Sequence, residues 1–165
     1  MSQSLKQLAR NCRIASRAVA QLTTQQKNKA IHAMADQILA NAETIISENS
    51  KDVAASKEKG LSDAMIDRLV INPERLTKMA DALRDVAALP DPVGEISKTW
   101  TRPNGIQVSY QRIPLGVIAM IYESRPNVTS DAAGLCLKAG NAVFLRGGSE
   151  AFYSNHAIAA ALHKA

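Results

Sequence analysis

The sequence has 165 residues, 46% of them hydrophobic, and a formal net charge of +5 at pH 7. That is enough apolar chain for one packed domain and excludes a globally disordered one. One Trp, three Tyr and two Phe mean that the core is aliphatic. No apolar run approaches the roughly 18 residues a membrane-spanning helix needs. The start, MSQSLKQLARNCRIAS, lacks the apolar stretch of a secretory signal. Cys12 and Cys136 form no CxxC, zinc or disulfide framework. The expectation is a soluble, reduced, cytoplasmic protein with no membrane partner.

Residues 1–89 read as a helical region. Leu5, Leu8, Cys12, Ala15, Val19 and Leu22 recur at three- and four-residue spacing, one face of a helix. Thr23 or Thr24 caps a second helix, with an apolar stripe from Ile31 through Met34, Ile38 and Ala42 to Ile46. A third, more polar helix covers Asn49 to Lys59 and stops at Gly60. Ser62 caps a short segment through Leu69. Pro73 opens a further helix carrying Leu76, Met79, Ala80, Leu83, Val86 and Ala87, because its missing N–H needs no partner in a first turn.

Leu89-Pro90-Asp91-Pro92 marks a boundary. Residues 90–113 form a connecting segment whose two strands, Ile96–Thr101 and Ile106–Arg112, make a hairpin around Pro103-Asn104-Gly105. Residues 114–165 change character. Pro114 to Tyr122 is continuously apolar, as is Ala142 to Leu145, which is the pattern of strands buried on both faces of a parallel sheet. A helix from Thr129 to Lys138 lies between them, and Glu150 starts another that runs to the end. The fold class predicted is α/β: a helical N-terminal layer followed by the beginning of a doubly wound, Rossmann-like sheet.

Ligands of open α/β sheets bind beyond the carboxyl ends of the strands. Two segments lie there, Tyr122-Glu123-Ser124-Arg125-Pro126-Asn127 and Arg146-Gly147-Gly148-Ser149-Glu150. Both lead into helix N-termini, which favour anions, and Arg125 and Arg146 add fixed positive charge. The structural alternative stays open from spacing alone: Ser149 as a cap, Gly147-Gly148 as a tight turn, the arginines as solvated rim charges. No GxGxxG or GxxxxGK[ST] motif is present. Cys12 and Cys136 read as small core residues. His32, His156 and His163 have no ligand spacing, so no metal is expected. Arg10, Arg13 and Arg17 form a basic stripe without interleaved aromatics, which argues against nucleic acid as a partner.

The segment RIPLGVIAMIYESRPNVTSDAAGLCLKAGNAVFLRGG, Arg112 to Gly148, closely resembles the γ-glutamyl phosphate reductases (glutamate-5-semialdehyde dehydrogenases) of the aldehyde dehydrogenase superfamily. LSDAMIDRLVINPERL and LPDPVGEI extend the resemblance over nearly the whole chain. It implies an NADPH-dependent reduction of the small-molecule substrate γ-glutamyl phosphate to glutamate 5-semialdehyde plus phosphate, a step of proline synthesis. It also implies a homo-oligomeric enzyme and a cysteine thiolate that displaces phosphate.

Residue by residue, the resemblance implies that the Asn127 amide helps to hold the oxyanion, a contribution of about 3 kcal/mol to transition-state binding. It places Pro126, Arg146, Gly147, Gly148 and Ser149 at the cofactor and Arg125 at the substrate. Ser149 stands where many NAD-using relatives carry a ribose-binding glutamate, so a neutral side chain there spares a 2′-phosphate a like charge. The family's chains are more than twice as long, and neither Cys12 nor Cys136 matches their nucleophile. By itself this chain is therefore expected to be inactive. The alternative expectation is a non-catalytic module that assembles with partner chains.

Overall fold

The computed structural model describes residues 4–165. Five helices come first: α1 (Leu5–Val19), α2 (Thr24–Ala40), α3 (Ala42–Glu58), α4 (Asp63–Leu69) and α5 (Pro73–Ala88). Strands β1 (Ile96–Thr101) and β2 (Gln107–Gln111) follow, then β3 (Val117–Ile121), α6 (Asn127–Lys138), β4 (Ala142–Arg146), a 3₁₀ turn (Ser149–Ala151) and α7 (Phe152–Leu162). β1 and β2 pair antiparallel as a separate hairpin, and β3 and β4 pair parallel.

Local signals account for most boundaries. Thr23 closes a reciprocal capping box at the start of α2: its hydroxyl accepts from Gln26 N at 3.2 Å, and its own N–H donates to Gln26 Oε1 at 2.9 Å. Pro73 is the first residue of α5, and the Asn72 side chain accepts from Arg75 N at 2.8 Å. The long stripe from Ile31 to Ile46 does not form one helix. It is divided at Asn41, whose φ of −107° and ψ of 18° break the helical path. Asn41 Nδ2 meanwhile donates to Gln37 O at 2.8 Å. The stripe is thus shared between α2 and α3, and the expected third helix starts well before Asn49.

The core is aliphatic and lies among α2, α3, α5 and α7, with Ile31, Ile38, Ile45, Leu76, Leu83 and Ile158 essentially inaccessible. Two expected burials differ. The stripe of α1 leaves Leu5 and Leu8 exposed, and the only fully buried residue of that helix is Ser16. β3 and β4 are not covered on both faces: their residues are half-buried or exposed, and Ile121 is 79% exposed. The reason is that this sheet has two strands only, each with an open edge, packed by α1 and α6.

Two polar clusters join these layers. In the first, α3 caps α7. The 3₁₀ turn and α7 have no local side-chain cap, and Asp52, buried on α3, supplies one. Asp52 Oδ1 accepts from Tyr153 N at 3.2 Å, and Oδ2 accepts from Ser154 N at 2.7 Å and Ser154 Oγ at 2.6 Å. Asn49, one turn earlier, donates to Ser154 Oγ and Leu69 O and accepts from Ile71 N, which fixes the α4–α5 link.

The second cluster surrounds Asp91. Lys27, buried on α2, meets the Asp91 carboxylate at 2.6 Å, and Thr24 Oγ1 and Val93 N donate to the same group. Lys138, at the end of α6, donates to Ala87 O in the last turn of α5 at 2.8 Å and to Asn28 Oδ1 at 2.7 Å. Burial works against ionisation of Asp91, but the Lys27 ammonium, the Thr24 hydroxyl and the Val93 N–H outweigh it and hold the carboxyl below its ordinary value.

A depressed folded-state pKa stabilises above the unfolded value, about 3.9 for Asp, and that stability is lost as pH falls through the folded value. Asp91→Ala leaves Lys27 buried without its partner, so urea unfolding at pH 7 should show a loss of about 3 kcal/mol. The gap between variant and parent should narrow below about pH 4, where the parent carboxyl is also neutralised.

Candidate functional site

The parallel register runs from Val117 opposite Ala142 to Ile121 opposite Arg146, and Tyr122 N extends the ladder by donating to Arg146 O at 3.1 Å. The loops after β3 and β4 therefore leave the same carboxyl edge, as the sequence predicts. One feeds α6, and the other feeds the 3₁₀ turn and α7.

The loops are pressed together, which explains the paired glycines. A Cβ on Gly147 would lie 2.1 Å from Asn155 Nδ2 and 3.1 Å from the Tyr122 ring. Those neighbours are held in turn: Thr129 Oγ1 lies 2.7 Å from Tyr122 OH and donates to Asn155 Oδ1 at 3.1 Å. A Cβ on Gly148 would lie 2.6 Å from Glu150 Oε2 and 3.5 Å from the Glu123 carbonyl carbon. The Glu150 carboxylate links the loops, accepting from Ser149 Oγ at 3.2 Å and Ser124 Oγ at 3.4 Å. Its own backbone N–H, with the two hydroxyls and the Lys59 charge, outweighs burial and keeps the carboxyl below its usual value. The rim beside Ser149 is thus not neutral, because an ionised carboxylate stands next to it.

Two cavities flank this edge. The larger, about 400 Å³, has Arg125, Pro126, Asn127 and Asp131 on one wall. Its other wall is the α4–α5 pair, with Asp67, Arg68, Arg75 and Lys78. Asn127 opens α6 and donates from Nδ2 to Asp131 Oδ2 at 2.9 Å. Burial raises the Asp131 carboxyl above its ordinary value, against the Asn127 hydrogen bond. Arg75 is committed to the wall itself, donating to Val70 O at 2.8 Å, to Asp67 O, and to Asp67 Oδ1 at 2.8 Å. Lys78 pairs with Glu74 at 2.7 Å. The smaller cavity, about 190 Å³, is lined by Tyr122, Thr129, Gly147, Gly148, Asn155 and His156, among others.

The predicted site residues thus fall into two groups. Arg125, Pro126 and Asn127 share the larger cavity, and Gly147 and Gly148 line the smaller. Arg146 and Ser149 are exposed at the rim and line neither. The two arginines expected on one rim accordingly face different spaces. Sequence reasoning missed Asp131, although an Asn and an Asp four residues apart on a helix are neighbours. It also missed Arg68, which only the tertiary packing of α4 brings to the cavity.

Neither cysteine lines these cavities. Cys12 Sγ lies 3.8 Å from Val143 O, half-buried between α1 and β4. Cys136 is buried in α6, and burial pushes its thiol pKa up, so little thiolate is available. Among the described residues, no group of three or more His, Cys, Asp or Glu could hold a metal ion, and no helix is long and apolar enough to cross a membrane.

The helical layer and the βαβ rim define the class. A putative aldehyde dehydrogenase from Bacillus subtilis superposes on 92% of this chain with a TM-score of 0.64 at 17% identity, which shows the aldehyde dehydrogenase fold. The γ-glutamyl phosphate reductase of Salinibacter ruber is 62% identical over 162 residues, 98% of this chain and 37% of that protein. The crystal structure of γ-glutamyl phosphate reductase from Thermotoga maritima matches with a TM-score of 0.94 and 40% identity over 98% of this chain and 39% of its own. No family model matches the chain. Along almost its whole length the chain is homologous to γ-glutamyl phosphate reductase, and it spans less than half the length of these relatives.

Close approach makes the glycines testable. Gly147→Ala should lower stability by about 1–3 kcal/mol through overpacking against Tyr122 and Asn155. Thermal unfolding measures this. An unchanged Tm would show that Asn155 and Tyr122 yield without cost.

Proposed function

We propose that this chain forms the helical layer and first βαβ rim of an NADPH-dependent γ-glutamyl phosphate reductase, which converts γ-glutamyl phosphate to glutamate 5-semialdehyde and phosphate in proline synthesis. The observation that carries this is the 62% identity to the Salinibacter ruber enzyme over 98% of the chain. Cytoplasmic location belongs to this reading, and so does assembly as a homo-oligomer, which suits the exposed Ile96, Ile106 and Tyr110 of the β1–β2 hairpin.

The residues fit a division of labour. When bound, the nicotinamide cofactor supplies the hydride. Arg146 forms no ion pair among the described residues, so its guanidinium is free to meet a phosphate. Pro126, Gly147, Gly148 and Ser149 stand at the same sheet edge. Gly147 and Gly148 let the loop backbone pack against Tyr122, Asn155 and Glu150 at that edge. The preference for a 2′-phosphate rests on Arg146 and on Lys59, whose charge acts on Glu150, rather than on a neutral Ser149.

In the larger cavity Asn127 has a second amide N–H left for an oxyanion while the first holds Asp131. Arg125 beside it offers charge to the acyl phosphate. Neither Cys12 nor Cys136 lines this cavity, which supports the reading that neither is the nucleophile.

The test is a chimera in which this chain replaces the matching 37% of the Salinibacter ruber reductase. It should reduce γ-glutamyl phosphate with NADPH, whereas the 165-residue chain alone should not. An inactive but folded chimera would favour the non-catalytic module. In the active chimera, Arg146→Ala should raise KM for NADPH more than for NADH, and equal losses would remove the 2′-phosphate role.

A further inference from the structure

The larger cavity carries positive charge on the wall opposite Asn127. Its near wall holds Asn127 and Arg125, and its far wall is α4–α5. In this reading, a γ-glutamyl substrate with its acyl carbonyl at Asn127 and its phosphate at Arg125 can extend its amino-acid end across the cavity to that far wall. The carboxylate at this end needs a cation.

Three cations stand there. Arg75 is used by Asp67 and by the carbonyls of Asp67 and Val70, which fasten α4 to α5. Lys78 is paired with Glu74 one turn back on α5. Arg68, in the last turn of α4, forms no ion pair or side-chain hydrogen bond among the described residues. Its guanidinium has the planar fork that matches a carboxylate. Asp67 is already bound by Arg75, so the acidic group nearest in sequence does not neutralise Arg68.

We propose that Arg68 is a specificity-determining residue that binds the α-carboxylate of the glutamyl substrate from the wall opposite Asn127. The proposal rests on the reading of the chain as part of a γ-glutamyl phosphate reductase. It predicts selection by charge at the amino-acid end, separately from the phosphate and the cofactor.

The test has a binding arm and a kinetic arm. In the 165-residue chain, titration with L-glutamate followed by the Nε–H resonances of the arginines should shift Arg68 saturably. Inorganic phosphate should move Arg125 instead. Arg68→Gln should weaken L-glutamate binding roughly 10- to 100-fold, the range for losing a charged hydrogen bond. Arg68→Lys should recover part of it.

In the chimera, run in the oxidative direction, Arg68→Gln should raise KM for glutamate 5-semialdehyde by a similar factor. It should leave KM for NADP and the kinetics with butanal, which lacks the carboxylate, unchanged. An Arg68 resonance that ignores L-glutamate overturns the proposal, as does a variant that changes both aldehydes equally. A chimera without any turnover removes the functional reading instead, and the binding arm still decides whether Arg68 holds a carboxylate.

Discussion

The buried contact between Lys27 and Asp91 is the constraint on which the site's geometry depends. Lys27 is 1% exposed and reaches Asp91 from α2. Asp91 stands between Pro90 and Pro92, just after α5 ends. Lys138 comes from the far end of α6 to the carbonyl of Ala87. Three helices and the chain leading to the hairpin therefore meet at one charged cluster. A buried pair of this kind adds little net stability over an apolar replacement, but loss of either partner leaves the other as an uncompensated buried charge. Because α5 and α6 contribute to opposite walls of the larger cavity, the Lys138–Ala87 hydrogen bond joins the two walls. At the other end, Arg75 ties α4 to α5.

From this frame follows the separation of the two rims. A parallel strand pair delivers both loops to one edge, where they stay pressed together before one enters α6 and the other the 3₁₀ turn. Tyr122, Thr129 and Asn155 fill the angle between them, with Gly147 seated against the ring and the amide. Glu150 pins the outer ends through Ser124 and Ser149. The start of α7 is held from below by Asp52 on α3. The arrangement suits a reaction with two dissimilar reactants. In the proposed reading the cofactor takes the Arg146–Ser149 rim and the acyl substrate takes the cavity beside Asn127.

Much of this was legible in the sequence because it is encoded locally. A Thr23 or Thr24 cap, Pro73 in a first turn and the Pro90-Asp91-Pro92 break mark boundaries locally, and the structure adds Gln26 and Asn72 as the capping partners. The two apolar strands and their glycine-bearing loops announced the parallel pair and its carboxyl edge. What was not legible is tertiary. The stripe from Ile31 to Ile46 continues in register across Asn41, so periodicity alone could not show that the backbone breaks there. The apolar runs of β3 and β4 predict burial, but two strands with open edges cannot provide it. Asp52 capping α7, and Arg68 lining the same cavity as Asn127, bring together residues far apart in sequence, and no local pattern marks them. Ser149 illustrates the limit at the site: its identity was clear, but the neighbouring Glu150 carboxylate, turned toward it, changes the charge of the rim.

The proposed division of the edge into a cofactor rim and a substrate cavity is tested directly by hydrogen exchange on the chimeric enzyme with and without NADPH. The account predicts slowed exchange at the amides of Gly147 to Glu150, and no change along Asp67 to Arg75. Protection of the α4–α5 wall by NADPH, with the Gly147–Glu150 amides unaffected, would contradict it.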